Sequence, residues 1–319
     1  MTRRDLIVIA LSVLVASTAC SQAQEKVWRV GALETVEAPL IETVFLPELA
    51  RLGFVQGRNL ILEAQIATAE EMPDVAQKMV ATRPDAIVAV SDWAAHPASA
   101  ATKEIAIVAI MGADPVAAGV AANWARPGGN VTGVSLIAPE LEIKRLELLR
   151  ESIPLARRIG MLANHRQIVE AGLTPLRTAI ARTGFTLVEF WVDSADEYQQ
   201  AFDAMRSAGI DALLIVPTPE LDHDAQKLAT LAVQARIPTI CGFREDAQQG
   251  CLIGYGPSLT EQFKLLAADV ARVLRGAKPG ELPFQGPTHF EFDVNLGTAR
   301  ALGITISPSL LARADEVIE

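Results

Sequence analysis

Short apolar runs rich in valine and isoleucine alternate with helix-length amphipathic segments from residue 27 to residue 257, and no other feature constrains the fold as strongly. The first runs are Val27-Leu33, Leu60-Ile66, Ala86-Val90, Ile105-Ile110 and Val131-Val134. The second are Ile159-Ala163, Thr186-Val192, Ala212-Val216, Pro238-Cys241 and Cys251-Tyr255. Runs that are apolar along their whole length suit strands buried on both faces, as in a parallel sheet covered by helices. Between them, Asp74-Val80, Glu140-Arg150, Leu173-Arg182 and Ala225-Ala235 carry apolar residues three and four apart, the period of a helix with one buried face. Such alternation, with right-handed crossovers, gives an α/β fold. The order of elements repeats, five units to about residue 136 and five more to about residue 257, although the residue identities do not. The chain therefore predicts two doubly wound parallel-sheet lobes of flavodoxin-like strand order, with a ligand cleft between them. Residues 258–319 are too few for a third lobe and are expected to return to the first two. Residues 27–136 plus 258–280 would form lobe 1, and 137–257 plus 281–319 lobe 2. Gly254-Tyr255-Gly256 reads as a turn where the chain crosses between lobes, not as a dinucleotide fingerprint, because Leu259 stands at the third glycine position.

Composition narrows the partners. The 319 residues are half hydrophobic and 21% charged, a globular composition. With 28 Lys+Arg against 38 Asp+Glu, and no basic run beyond pairs such as Arg157-Arg158, the chain lacks the footprint that a phosphate backbone needs. Nucleic acid is excluded as a partner. The apolar run Leu6 to Ala19 is too short to span a bilayer. With Arg3 and Arg4 before it and Ser21-Gln22-Ala23 after it, it reads as a signal peptide over residues 1–23. Thr2-Arg3-Arg4-Asp5-Leu6 resembles a twin-arginine signal without its usual Phe. Ala19-Cys20 resembles the end of a lipoprotein box, so lipidation at Cys20 is the alternative outcome, although Ser17 stands where such boxes usually carry Leu. Every route places the mature chain in the periplasm. Cys241 and Cys251 then remain, at the end of one expected strand and the start of the next. If those strands are parallel neighbours, the thiols lie about 10 Å apart, beyond the roughly 7 Å Cα limit for a bridge. Two buried thiols are expected.

In open parallel sheets, ligands bind beyond the carboxyl ends of the strands, where helix N-termini point their N–H groups outward. Those ends supply Glu34, Thr35, Ser91, Asp92, Trp93, Asp114, Ser135, Asn164, His165, Thr218 and Arg244 as candidate ligand-binding residues. The set is polar, with a Trp to stack, an Arg for an anion and acids for a cation, which suits a small polar or zwitterionic solute. For an amino-acid-like solute, Thr35, Ser91 and helix N–H groups would hold the carboxylate. Asp92 or Glu34 would hold the amine, and Trp93 would flank the body. Structural alternatives accompany three of them: Asp114-Pro115 as a helix cap, Arg244-Glu245 as a solvated pair and Trp93 as a core aromatic.

Several segments resemble the solute-binding components of ABC importers. They are Arg126-Pro127-Gly128-Gly129-Asn130-Val131-Thr132-Gly133-Val134, Lys144-Arg145-Leu146-Glu147-Leu148-Leu149 and the tail Pro308-Ser309-Leu310-Leu311-Ala312-Arg313-Ala314-Asp315-Glu316-Val317-Ile318. Gly53-Phe54-Val55-Gln56-Gly57-Arg58-Asn59-Leu60, Gly276-Ala277-Lys278-Pro279 and Ala301-Leu302-Gly303-Ile304 add to the match. The similar subfamily has the type I periplasmic binding protein-like bilobed fold and includes binders of aromatic amino acids. The resemblance implies a monomer that captures a small-molecule solute and delivers it to an ABC permease in the inner membrane, without a cofactor. The chain departs from the family in the loops that touch solute. Leu33-Glu34-Thr35-Val36 replaces a Gly-Ser-rich turn, His165 replaces the Pro of Asn-Pro, and Thr218-Pro219 stands for Asp-Pro.

Enzyme motifs are missing: the sequence has neither Gly-x-Ser-x-Gly nor His-Glu-x-x-His. Four histidines, His96, His165, His223 and His289, lack metal-ligand spacing, so no metal site is expected. A rival reading from another class is an exported ligand-sensing module that signals to a membrane receptor or kinase. An exported hydrolase is the other rival, and it lacks a visible nucleophile–base pair.

Overall fold

Two separate sheets carry the chain in this computed structural model, which describes residues 26–137, 141–166 and 173–319. The expected signal peptide over 1–23 and the possible lipidation at Cys20 lie outside the described residues. The first sheet contains β1 (Trp28–Glu34), β2 (Leu60–Ile66), β3 (Ala86–Val90), β4 (Ala106–Met111) and β5 (Val131–Ser135). Its order is β2-β1-β3-β4-β5, all parallel. The second contains β6 (Arg158–Asn164), β7 (Thr186–Val192), β8 (Ala212–Ile215), β9 (Thr239–Cys241), β10 (Ile253–Pro257), β11 (Phe290–Asn295) and β12 (Glu316–Ile318). They follow the order β12-β11-β10-β9-β8-β6-β7, so its first five strands repeat the arrangement of the first sheet. The tail adds β11 antiparallel to β10, and β12 parallel to β11.

Period-two alternation sorts the apolar runs between two helical layers. On β4, Val108 and Ile110 join Val30, Val88 and Val134 against the helix Leu259–Leu274. Ile107, Ala109 and Met111 of the same strand face the helices Met72–Ala81 and Asp92–Ala101. On β6, Ile159, Met161 and Ala163 face the helices Leu141–Ser152 and Thr174–Thr183, while Leu162 faces Tyr198–Ala208 and Ala225–Ala235. The helix Leu259–Leu274 starts where Ser258 Oγ accepts the Glu261 N–H at 3.4 Å, and it buries Phe263, Leu266, Val270 and Leu274 on the first sheet. Each such side chain contributes roughly 1.5 to 3 kcal/mol of transfer free energy. A helix that follows a second-lobe strand is thus bound to the first lobe. The chain passes between the lobes after β5, after β10 and again after Gln285.

Three expectations change. The segment following that helix stays on the first sheet beyond residue 281: Thr132 Oγ1 donates to Leu282 O at 2.9 Å, and Gln285 bridges Val134. The return to the second sheet therefore falls several residues later than expected. Gly254-Tyr255-Gly256 is not a turn but the middle of β10. A Cβ at Gly256 would lie 1.8 Å from Gly242 O, and one at Gly254 would lie 2.2 Å from Phe243 O, so both glycines serve close approach of the neighbouring loop.

Cys241 and Cys251 are bridged, not free, with their Cα atoms 6.4 Å apart. Cys251 does not open a strand, although its apolar run suggests that it does. Instead, β10 begins at Ile253, and a bend held by Leu252 N–H to Thr239 Oγ1 at 3.1 Å brings Cys251 back beside β9. Closing so short a loop contributes about 2 to 3 kcal/mol in the chain-entropy model. Reduction, or the Cys241→Ala/Cys251→Ala variant, should lower the melting temperature by about 4 to 10 °C. Equal melting with and without reductant, under conditions where both thiols become titratable, would refute this.

Candidate functional site between the lobes

Strand order in the first sheet reverses between β1 and β3, because the chain leaves β1 for β2 on one side and then places β3 on the other. Loops diverge at such a point and leave a crevice beyond the carboxyl ends. Glu34 pairs with Val90 in register, so Thr35 and Ser91 leave the two neighbouring strands at the same level. Both residues are buried, and among the described residues neither Thr35 Oγ1 nor Ser91 Oγ has a hydrogen-bond partner. Ser91 also has φ +113°, a conformation that costs a residue with a Cβ on the order of 1 to 3 kcal/mol. Its N–H donates to Ile110 O at 3.0 Å, and its carbonyl accepts from Ala94 and Ala95 to open the helix Asp92–Ala101. The fold holds this serine in place from both sides. Trp93 is half-buried in the first turn of that helix.

Other candidates from the first lobe are engaged within the protein. Asp92 accepts the Gly112 and Ala113 N–H groups at 3.0 and 3.2 Å, bracing the loop after β4. Burial pushes its pKa up against those hydrogen bonds. Glu34 accepts the Ala38 N–H at 3.0 Å, and burial raises its pKa too. Ser135 Oγ donates to Ala113 O at 3.1 Å and accepts the Ile137 N–H at 3.3 Å. Asp114 closes a turn by accepting from Val116 and Ala117, each at 2.8 Å, and takes the Trp124 indole N–H at 2.9 Å. Burial opposes ionisation there, but the hydrogen bonds from Ala117, Trp124 and Val116 together hold the carboxyl below its usual value.

In the second lobe, Asn164 is fully buried at the end of β6, with Nδ2 donating to Glu220 Oε2 at 2.7 Å and Oδ1 accepting the Arg166 N–H at 2.8 Å. His165 is exposed, stacked on Trp191 at 4.6 Å, with Nδ1 3.2 Å from Asp193 Oδ1. Thr218 Oγ1 accepts the Leu221 N–H at 3.3 Å and caps the helix Pro219–His223. Arg244 requires correction as an anion receptor. Its guanidinium lies 3.4 Å from both Glu291 and Asp293, and it also pairs with Glu316. Residues 291 and 293 share one face of β11, so both carboxylates reach the guanidinium. It is not a solvated pair with Glu245 either.

Sequence reasoning passed over three groups. Glu220 lies immediately after Thr218-Pro219, and burial raises its pKa while the Asn164 amide and Arg166 pull it down. Its signal was available: an acid displaced by two positions from the family's Asp-Pro. Arg166 and Glu70, from different lobes, approach to 3.3 Å. Arg145, only 3% exposed, donates to Tyr255 O at 2.9 Å, Gly242 O at 3.1 Å and Glu142 at 2.8 Å, tying the helix Leu141–Ser152 to the loops of β9 and β10. The Lys-Arg-Leu-Glu-Leu-Leu motif contains that arginine, but a motif does not disclose carbonyl acceptors a hundred residues away.

This geometry defines the bilobed class in which one chain builds two doubly wound sheets and crosses between them. The family model for ABC transporter substrate binding proteins matches residues 42–318, and the chain belongs to that family. It is similar to a tyrosine-binding protein of Clostridioides difficile (strain R20291), 29% identical over 283 residues that span 86% of this chain and 80% of that protein. A conserved domain protein from Vibrio cholerae matches with a TM-score of 0.85 at 27% identity, covering 92% of this chain and 100% of the other. The ABC domain of Streptococcus pneumonia in complex with L-Trp matches with a TM-score of 0.83 at 23% identity, over 92% of this chain and 100% of that one.

Proposed function

We propose that the chain captures an amino-acid-like solute, an aromatic amino acid first among them, between its lobes by hinge closure, and presents it in the periplasm to an inner-membrane ABC permease. No bond is made or broken in this role. One observation carries the reading: two adjacent hydroxyls, Thr35 Oγ1 and Ser91 Oγ, are buried without partners among the described residues at the strand-order reversal. Buried donors lacking partners cost free energy, and a carboxylate offers each of them a charge-assisted acceptor. The first turn of the helix Asp92–Ala101 adds N–H groups and a favourable dipole. Glu220, oriented by Asn164, is the second lobe's counterpart for the ammonium group, and Glu34 is the first lobe's. Trp93 and the His165–Trp191 stack supply flat surfaces for the body of the solute. The tyrosine-binding relative supports this solute class.

Thermal melting against the twenty amino acids tests the reading. A solute present at 100 times its dissociation constant stabilises the folded chain by about 2.7 kcal/mol. L-tyrosine or L-tryptophan should raise the melting temperature by several degrees. A flat response to every amino acid eliminates this solute class.

A further inference from the structure

We propose that Glu70 and Arg166 form an electrostatic latch across the mouth of the cleft, biasing the lobes towards closure and slowing solute release. Glu70 belongs to the loop between β2 and the helix Met72–Ala81 of the first lobe, and Arg166 lies two residues beyond β6 in the second. Their Nη1 and Oε1 atoms are 3.3 Å apart. Main-chain anchors fix both roots. Thr68 and Glu71 cap each other on either side of Glu70, with the Thr68 N–H and Oγ1 donating to Glu71 Oε2 at 3.2 and 3.0 Å and the Glu71 N–H donating to Thr68 Oγ1 at 3.3 Å. The Arg166 N–H is held by Asn164 Oδ1 at 2.8 Å. The two charges therefore meet through the placement of the lobes, not through loops reaching out. Opening the hinge separates them, leaving Arg166 beside Glu220 and returning Glu70 to water.

The side chains are 50% and 64% exposed, so the pair belongs to the weak, salt-sensitive class. That weakness suits a carrier. A pair strong enough to shift the equilibrium a thousandfold would keep solute from the permease, whereas an exposed pair shifts it about two- to fivefold. The inference extends the capture reading above, and its primary test uses no solute.

Nitroxide labels on the exposed positions Gln77 and Gln199, introduced through Q77C and Q199C in the otherwise complete chain, report the lobe separation by pulsed electron–electron distance measurement. Glu70→Ala and Arg166→Ala should each reduce the closed-to-open ratio about two- to fivefold, and 1 M NaCl should do the same to the parent. The double variant E70A/R166A should be no more open than either single variant, because one pair is lost in all three. With L-tyrosine as the probe, release from the single variants should accelerate by the same factor. An unchanged ratio in both single variants, or a double variant whose opening is the sum of the two single effects, overturns the latch. If L-tyrosine fails to bind, the capture reading suffers while the solute-free distances still decide the latch.

Discussion

Thr35→Val combined with Ser91→Ala should weaken binding of L-tyrosine or L-tryptophan by about a hundred- to a thousandfold, without destabilising the solute-free protein. Hydrogen bonds to a charged acceptor contribute about 1.5 to 3 kcal/mol each, and every 1.4 kcal/mol is a factor of ten. Buried hydroxyls that satisfy the fold usually cost stability when removed. These two have no partner among the described residues, so their loss relieves a desolvation penalty instead. Ser91→Gly separates function from fold further still. Glycine accepts φ +113° freely, so this variant should melt at a higher temperature than the parent while binding more weakly. Calorimetric titration and thermal melting on the same samples provide both readings. An unchanged dissociation constant in the double variant would show that solute does not use these hydroxyls. A fall of several degrees in its solute-free melting temperature would show that they are structural.

The backbone plan was legible because it depends on patterns that survive any exchange of one valine for another. The apolar runs of β1, β3, β4 and β6 had to be covered on both faces, and counting them gave two sheets. Side-chain partners were less legible because they depend on the third dimension. Arg244 looked like a solute ligand in a loop list; only the register of β11 reveals that Glu291 and Asp293 share its face. Asp92 looked like an ammonium acceptor, but its carboxylate closes the loop at Gly112. The disulfide was misjudged by two residues in the start of β10, an ordinary uncertainty in a strand boundary that here decides whether a bond can form. The position of Thr35 and Ser91 at the ends of neighbouring strands was legible because the carboxyl-end rule concerns topology alone.

Lowering the pH from 8 to 5 should stabilise the protein, opposite to what a chain rich in ion-paired carboxylates would do. Asp293 is fully buried on β11, and burial raises its pKa to about 6, with Arg244 pulling down and Glu316, Glu291 and Asp315 pushing up. Asp246 is raised to about 7 by burial, with Glu245 adding to the rise and the Phe243 N–H and Arg145 opposing it. Asp222 moves in the same direction, again through burial first and the Asp246 charge second. In the unfolded chain these carboxyls titrate near 4. Between about pH 4 and 7 the folded state therefore binds more protons than the unfolded state, and its stability falls as the pH rises through that window. For Asp293 alone the two-unit shift corresponds to about 3 kcal/mol, an upper figure. Below about pH 4 the sign reverses, since Asp114 and Glu189 are held below their usual values and lose their partners on protonation. The melting temperature should thus peak near pH 5. Relief of general repulsion in a chain of net charge -10 also favours acid, but Asp293→Asn separates the two contributions. That variant should exceed the parent melting temperature at pH 8 by several degrees, match it at pH 5 and show a shallower slope between. Parallel melting curves for the variant and its parent across this range would exclude Asp293 as the source.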